Sequence, residues 1–196
     1  YGDNLTWEVT ADGVLTISGE GEMQEIVRDE WGIPIYSYPW AQYDLTKIVI
    51  EDGVTSIGAH AFSSESALES VVIADTVTSI GDLAFLWCDG LAEITIPDSV
   101  TSIGAGAFQL CGSLESAKLS ENLGAISDTL FFGCSSLNSI EIPDSVTEIG
   151  DSAFANCTSL RGVGIPATVT SIGSAAFAGT AWQDAALEEN DFLIVN

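Results

Sequence analysis

The sequence predicts a β-rich solenoid of six 23-residue coils, with a parallel sheet, short helical or 3₁₀ turns and an N-terminal β-hairpin cap. Three observations predict it. Isoleucine recurs every 23 residues at Ile57, Ile80, Ile103, Ile126, Ile149 and Ile172. Phenylalanine keeps the same step at Phe62, Phe85, Phe108, Phe131, Phe154 and Phe177. Leucine opens each unit at Leu45, Leu68, Leu91, Leu114, Leu137 and Leu160, so six units run from 45 to 182 without insertion or deletion. Self-similarity at a fixed period marks stacked supersecondary units. None of these buries its apolar side chains alone, whereas stacked neighbours do.

Residues 1–44 precede the repeat and are expected to cap it. "LTWEVTADGVLTISG" alternates on both sides of Asp12-Gly13, a hairpin signal. "WGIPIYSYPWAQY" is aromatic and proline-rich. Its Trp31, Trp40 and Tyr43 admit two readings, a carbohydrate-binding aromatic cluster or packing on the first coil. Packing is favoured, because a cap must cover an apolar coil end and shield an unpaired strand edge.

Each unit reads roughly L-x-x-[IV]-x-I-P-D-x-V-T-x-I-G-x-x-A-F-x-x-C. The segment L-x-x-[IV]-x-I alternates and is a strand with one buried face. Proline or alanine followed by Asp or Glu turns the chain. V-T-x-I alternates again and forms a second short strand. The glycine after it suits a sharp bend at positive φ. A-F-x-x-C is too short for a lasting helix and predicts one helical or 3₁₀ turn. Stacking places like residues over like, about 4.8 Å apart.

These residues carry a resemblance. "IPDSVTSIG" at 96–104, "IPDSVTEIG" at 142–150 and their weaker echoes resemble the BspA-like leucine-rich repeat of surface and secreted proteins of gut and oral bacteria and some mucosal protists. The opening "GDNLTWEVTADGVLTISGEGEM" is similar to a segment that often precedes such repeats, and "GTAWQDAALEENDFLIVN" to one that follows them. The resemblance implies a secreted or cell-surface module for adhesion or host interaction, binding a protein such as a host or matrix protein. Residues 183–196 break the repeat, and "FLIV" within them predicts a last strand. Met23 is the only methionine, so Tyr1 is expected to follow a processed or trimmed end, and the natural chain is expected to continue past Asn196.

Composition narrows the partners. Hydrophobic residues make up 46% of 196, enough for a sizeable core and against disorder. Formal charge is −25, with Arg28, Lys47, Lys118 and Arg161 the four permanent cations. That surface repels phosphate backbones and anionic lipid, so neither nucleic acid nor membrane insertion is expected. No apolar run approaches the length of about 18 residues that reads as a membrane span.

Candidate chemistry is sparse. Cys88, Cys111, Cys134 and Cys157 form a ladder at 23-residue spacing. Adjacent Cα atoms would fall within disulfide range, yet the side chains would run parallel from an inward slot. Free, buried, structural thiols are expected. Reduced thiols remain compatible with export from an anaerobic host. No C-x-x-C pair or nearby histidine argues for zinc. His60, the single histidine, has no marked nucleophile beside it and reads as a solvated residue of coil one. Asp52, Asp75, Asp98, Glu121 and Asp144 form an acidic ladder. It reads either as a calcium site or, preferably, as turn residues bonding local N–H groups. No catalytic, metal or cofactor residue is assigned, and no enzyme activity is expected.

Two surfaces remain as candidate contacts. The outward rows of the first strands, expected to line a concave sheet, are mostly small residues. They include Lys47, Val49, Val72, Glu93, Thr95, Lys118 and Glu141, with an exposed Lys118–Glu141 ion pair expected. The pair between Phe and Cys is small or polar in most units, but units two to four carry Leu86, Trp87, Leu110 and Phe132. These form either a partner-contact patch or turns tilted onto neighbouring coils. Unit four also departs inside. Ala117 stands where others have Ile or Val, Leu130 where others have Ala, and Ser127 replaces the bend glycine. Both Ala117 and Leu130 are expected to be buried in compensation. Ser127 is expected at or near positive φ, unless its turn differs. The functional expectation is a non-enzymatic protein–protein interaction module. The alternatives are a glycan- or cell-wall-binding module of a larger protein, or a passive spacer.

Overall fold

In the computed structural model, the described residues are 2, 4–23, 27–28, 34–35 and 38–188. Trp31 and the "FLIV" segment lie outside them. The chain forms a β-solenoid in which each coil contributes one strand to each of two parallel walls. The first wall holds Lys47–Ile50, Ser70–Ile73, Glu93–Thr95, Ser116–Lys118, Ser139–Glu141 and Gly162–Gly164. The second holds Val54–Ile57, Ser79–Ile80, Ser102–Ile103, Ala125–Ile126, Glu148–Ile149 and Ser171–Ile172. Registers follow the repeat, as in Ile48↔Val71 and Ile57↔Ile80. Inward residues Leu, Ile, Val and Phe of successive coils form one continuous core.

The cap is more than a cover. Leu5–Val9 and Val14–Gly19 pair antiparallel around Gly13, whose φ is 80°. Val14–Gly19 then pairs in parallel with Lys47–Ile50, setting Leu15 beside Ile48 and Ile17 beside Ile50. Gly21–Glu22 likewise extends the second wall by pairing with Val54–Ile57. Residues 14–22 thus act as a coil before the first repeat. Trp40 heads the phenylalanine column. It stacks on Phe62 at 5.8 Å and donates its indole N–H to the Ala61 carbonyl at 2.8 Å. The column continues through Phe85, Phe108, Phe131, Phe154 and Phe177 with centroid spacings of 5.2–5.6 Å, and Trp182 closes it at 4.9 Å.

Two local expectations are corrected. The A-F-x-x-C segments are chains of turns, neither helical nor 3₁₀. Every second N–H in them bonds the next coil, as in His60 to Asp82 O, Phe62 to Ala84 O and Ser64 to Leu86 O. A helix would satisfy those donors internally, so the segment forms a third hydrogen-bonded wall instead. The bend glycines are not at positive φ. The left-handed residues are His60, Leu83, Gly106, Thr129, Ser152 and Ala175, and then Ser64, Trp87, Leu110, Gly133, Asn156 and Gly179. Glycine is needed at the bend because coils approach there. A Cβ on Gly104 would lie 2.4 Å from the Asp82 nitrogen, and one on Gly173 2.5 Å from that of Asp151.

Coil four breaks this rule with Ser127, which is not left-handed. Its hydroxyl donates to the Ile103 carbonyl, the acceptor that the bend glycine's N–H addresses in other coils. The second-wall pairing is interrupted here, between Ser102–Ile103 and Ala125–Ile126. Leu130 is fully buried, whereas Ala117 is only half-buried. Ala117 still packs against the core, as the equally half-buried Val71 and Val163 of its row do.

The described chain ends in a helix, Ala181–Glu188, with no sequence-level forecast. Thr180 is its N-cap, accepting the Gln183 N–H at 3.1 Å on its hydroxyl.

Candidate binding face

The inward slot after Phe-x-x reads Glu65, Cys88, Cys111, Cys134, Cys157 and Thr180. All four thiols are buried and free. Each S–H donates to the phenylalanine carbonyl of the preceding coil: Cys88 to Phe62, Cys111 to Phe85, Cys134 to Phe108 and Cys157 to Phe131, at 3.0–3.1 Å. The neighbouring Cys111 thiol and burial push the Cys88 pKa far up. Burial raises that of Cys134 and pushes Cys157 up to about 12. A thiol held protonated and used as a donor is a poor nucleophile. Glu65 takes the slot at the first coil. Burial raises its carboxyl to about 7, opposed by a hydrogen bond from the Leu45 backbone and assisted by Asp44.

His60 is half-buried rather than fully solvated. Burial lowers its pKa, and the carboxylate of Asp82 opposes this. In the acidic ladder, Asp98 accepts the Glu121 N–H at 3.0 Å, so it bonds the equivalent turn of the next coil instead of the expected local N–H. Among the described residues, no three His, Cys, Asp or Glu side chains are grouped to hold a metal ion.

The first wall carries the outward rows. Val72 is 48% exposed, and Glu93, Thr95, Lys118 and Glu141 are exposed. Lys47 and Val49, beneath the cap, are half-buried. Ladder pairing divides this wall twice: Lys47–Ile50 pairs with Ser70–Ile73, Glu93–Thr95 with Ser116–Lys118, and Ser139–Glu141 with Gly162–Gly164. Lys118 and Glu141 sit on opposite sides of the second division. Among the described residues, no ion pair joins the two side chains, contrary to expectation. A groove of about 750 Å³ opens there instead, lined by Ala117, Lys118, Glu141, Pro143 and Gly164 among others. Sequence reasoning missed it. Ala117 and Gly164 are the small members of their rows, but residue size alone does not mark where a groove opens.

The turn-edge residues divide. Trp87 is 51% exposed, while Leu86, Leu110 and Phe132 are half-buried. Leu110 lies over the next coil, so close that a Cβ on Gly133 would meet its Cδ2 at 2.6 Å. Leu110 therefore extends the packing and Trp87 stands out from it. In the cap, Trp40 is buried, whereas Tyr43 is 42% exposed and lies 6.1 Å from the Trp7 ring.

Comparison with known proteins agrees with this geometry. A family model described as "BspA type Leucine rich repeat region (6 copies)" matches residues 33–160 and 124–193. The T. pallidum leucine-rich repeat protein TpLRR superposes with a TM-score of 0.69 at 25% identity, over 98% of this chain and 96% of that one. A leucine-rich repeat protein of Bacteroides ovatus gives 0.59 at 28% identity, covering 92% of this chain and 57% of its own. No curated protein matches the sequence. Six repeats of one motif, folded as stacked parallel coils, place the chain in the BspA-type leucine-rich repeat family.

Proposed function

We propose that the chain is a non-enzymatic protein-interaction module, displayed at the cell surface or secreted, and that it binds through the first wall. One observation carries this reading. The row Val72, Thr95, Lys118, Glu141 and Gly164 runs exposed or bare across five successive coils. Such a surface, with low relief and mixed polarity, suits contact with an extended protein surface. The family setting supports an extracellular location. No helix among the described residues is long and apolar enough to cross a membrane. The glycan alternative draws on exposed Tyr43 against Trp7, but neither first-wall row contains an aromatic residue.

Arrays of immobilised matrix and serum proteins, probed beside a glycan array, test the reading. Saturable binding to a protein is expected. The double variant Val72→Glu with Thr95→Glu should abolish it, and Ser102→Glu on the second wall should not. Both columns already accept glutamate, at Glu141 and Glu148. Binding to glycans alone would favour the alternative, and binding to neither would leave a spacer.

A further inference from the structure

We propose that the groove across coils four to six seats an extended, positively charged segment of the partner protein. This deepens the protein-binding reading and rests on it. Three features of the chain open the groove. Ala117 is shorter than the Ile or Val of the other coils. Ladder pairing stops between Ser116–Lys118 and Ser139–Glu141, as it also does between Ser70–Ile73 and Glu93–Thr95, so this stop acts only together with the small residues. Finally, the outward row that carries Lys118 and Glu141 ends in Gly164, where an added Cβ would meet no heavy atom within 4 Å. The space of about 750 Å³ is therefore a consequence of missing side chains within an intact stack of coils.

The lining specifies the occupant. Ile142, Ile165, Pro143 and Pro166 give it an apolar floor and wall. Around them stand the exposed carboxylates of Glu121, Glu141 and Asp144, against the single ammonium of Lys118. Lysine and arginine match this pairing, because their methylene stems lie along apolar surface while their charged heads reach out. The net charge of −25 draws such a segment in and turns anionic partners away. Three coils span about 10 Å between the outer strands, which an extended peptide crosses in about three to four residues. A divalent ion is the poorer fit, because no three of these carboxylates are grouped for one.

The test uses a fluorescent peptide of alternating lysine and alanine, titrated into the whole chain at low salt. Gly164→Leu fills the groove without changing charge, and should weaken binding by about tenfold or more while circular dichroism stays unchanged. Glu141→Gln with Asp144→Asn should weaken it by a similar factor. Glu8→Gln with Glu20→Gln, on exposed parts of the cap, removes the same charge and should change affinity by no more than about twofold. Two results would overturn the proposal. One is wild-type affinity in Gly164→Leu. The other is equal weakening by the cap pair, which would mean that the peptide senses only net charge. The two readings also separate on a protein found by the arrays. If Val72→Glu with Thr95→Glu abolishes its capture and Gly164→Leu does not, the binding face stands and the groove proposal falls.

Discussion

At the scale of single residues, the chain departs from its consensus in the coil beside the cap and holds side chains in demanding conformations. Glu65 illustrates the first case. The cysteine slot works by donating to the preceding coil, and the first coil receives a half-buried carboxyl there instead. Its folded pKa of about 7 lies above its ordinary value of 4.5, so the folded chain binds the proton more tightly than the unfolded one. Stability from this group is full below about pH 4.5 and declines as pH rises through 7. Glu65→Gln should therefore raise stability at pH 8 by about 1 kcal/mol, a figure reduced for partial exposure, and leave it unchanged at pH 4. Urea midpoints of both proteins at the two pH values check this. Thr129 illustrates the second case. It is β-branched and held at φ 52°, a region that costs an L-residue about 1–2 kcal/mol. Thr129→Asn should stabilise the chain by about 1 kcal/mol, read from the same denaturation midpoint.

At the scale of the elements, each coil is three short walls joined by close approaches. The segment that reads as a helical turn becomes a wall because alternate N–H groups bond the next coil. That outcome depends on left-handed residues at two fixed places, where the sequence has His, Ser, Leu, Trp, Thr or Ala as readily as Gly or Asn. No consensus glycine marked them. The conspicuous bend glycine serves a different need, that of room. Gly104→Ala should thus cost about 2–4 kcal/mol, because its Cβ would press on the backbone of Gly81 and Asp82. Gly124→Ala, with nothing within 4 Å of the new carbon, should cost less than about 0.5 kcal/mol. A loss at Gly104 as small as that at Gly124 would show that close approach is not what the bend glycine provides.

At the scale of the whole molecule, stability is a sum over neighbouring coils, with ends that must be closed. The cap does this by pairing Val14–Gly19 onto the first coil. The C-terminal helix does it by laying Trp182 against Phe177 and donating the Trp182 N–H to the Leu160 carbonyl at 2.7 Å. Among the described residues, the helix closes only part of the end. Val163, Ile165, Val169 and Ile172 are half-buried, whereas Ile140, Ile142, Val146 and Ile149 one coil earlier are buried. Trp182→Ala should accordingly fray coil six first. Hydrogen exchange is expected to quicken at Phe154 and Asn156, whose N–H groups bond Ala176 and Ala178 of coil six. It should stay slow at Phe85, which bonds Ala107 far from that end. Uniform acceleration along the chain would contradict the additive picture.

The sequence by itself determined the period, the number of coils, the identity of the core residues, the fate of the cysteines and the hairpin at Asp12-Gly13. The hairpin follows from its turn pair between alternating strands; the rest follow from side-chain type at regular spacing, which stacking turns into regular position. The candidate site was legible only in part. Val72 and Thr95 could be named as outward from alternation alone, whereas for Trp87 the sequence left a patch and a tilted turn both open. The groove at Ala117 and Gly164 could not, and neither could the missing Lys118–Glu141 pair, because both depend on where ladder pairing stops between adjacent coils. The tertiary structure also decided that residues 14–22 serve as a coil, that the A-F-x-x-C turns bond outward, and that a helix closes the end. These outcomes turn on which neighbour a backbone N–H meets. That partner lies about one coil away in the chain, and local pattern does not encode it.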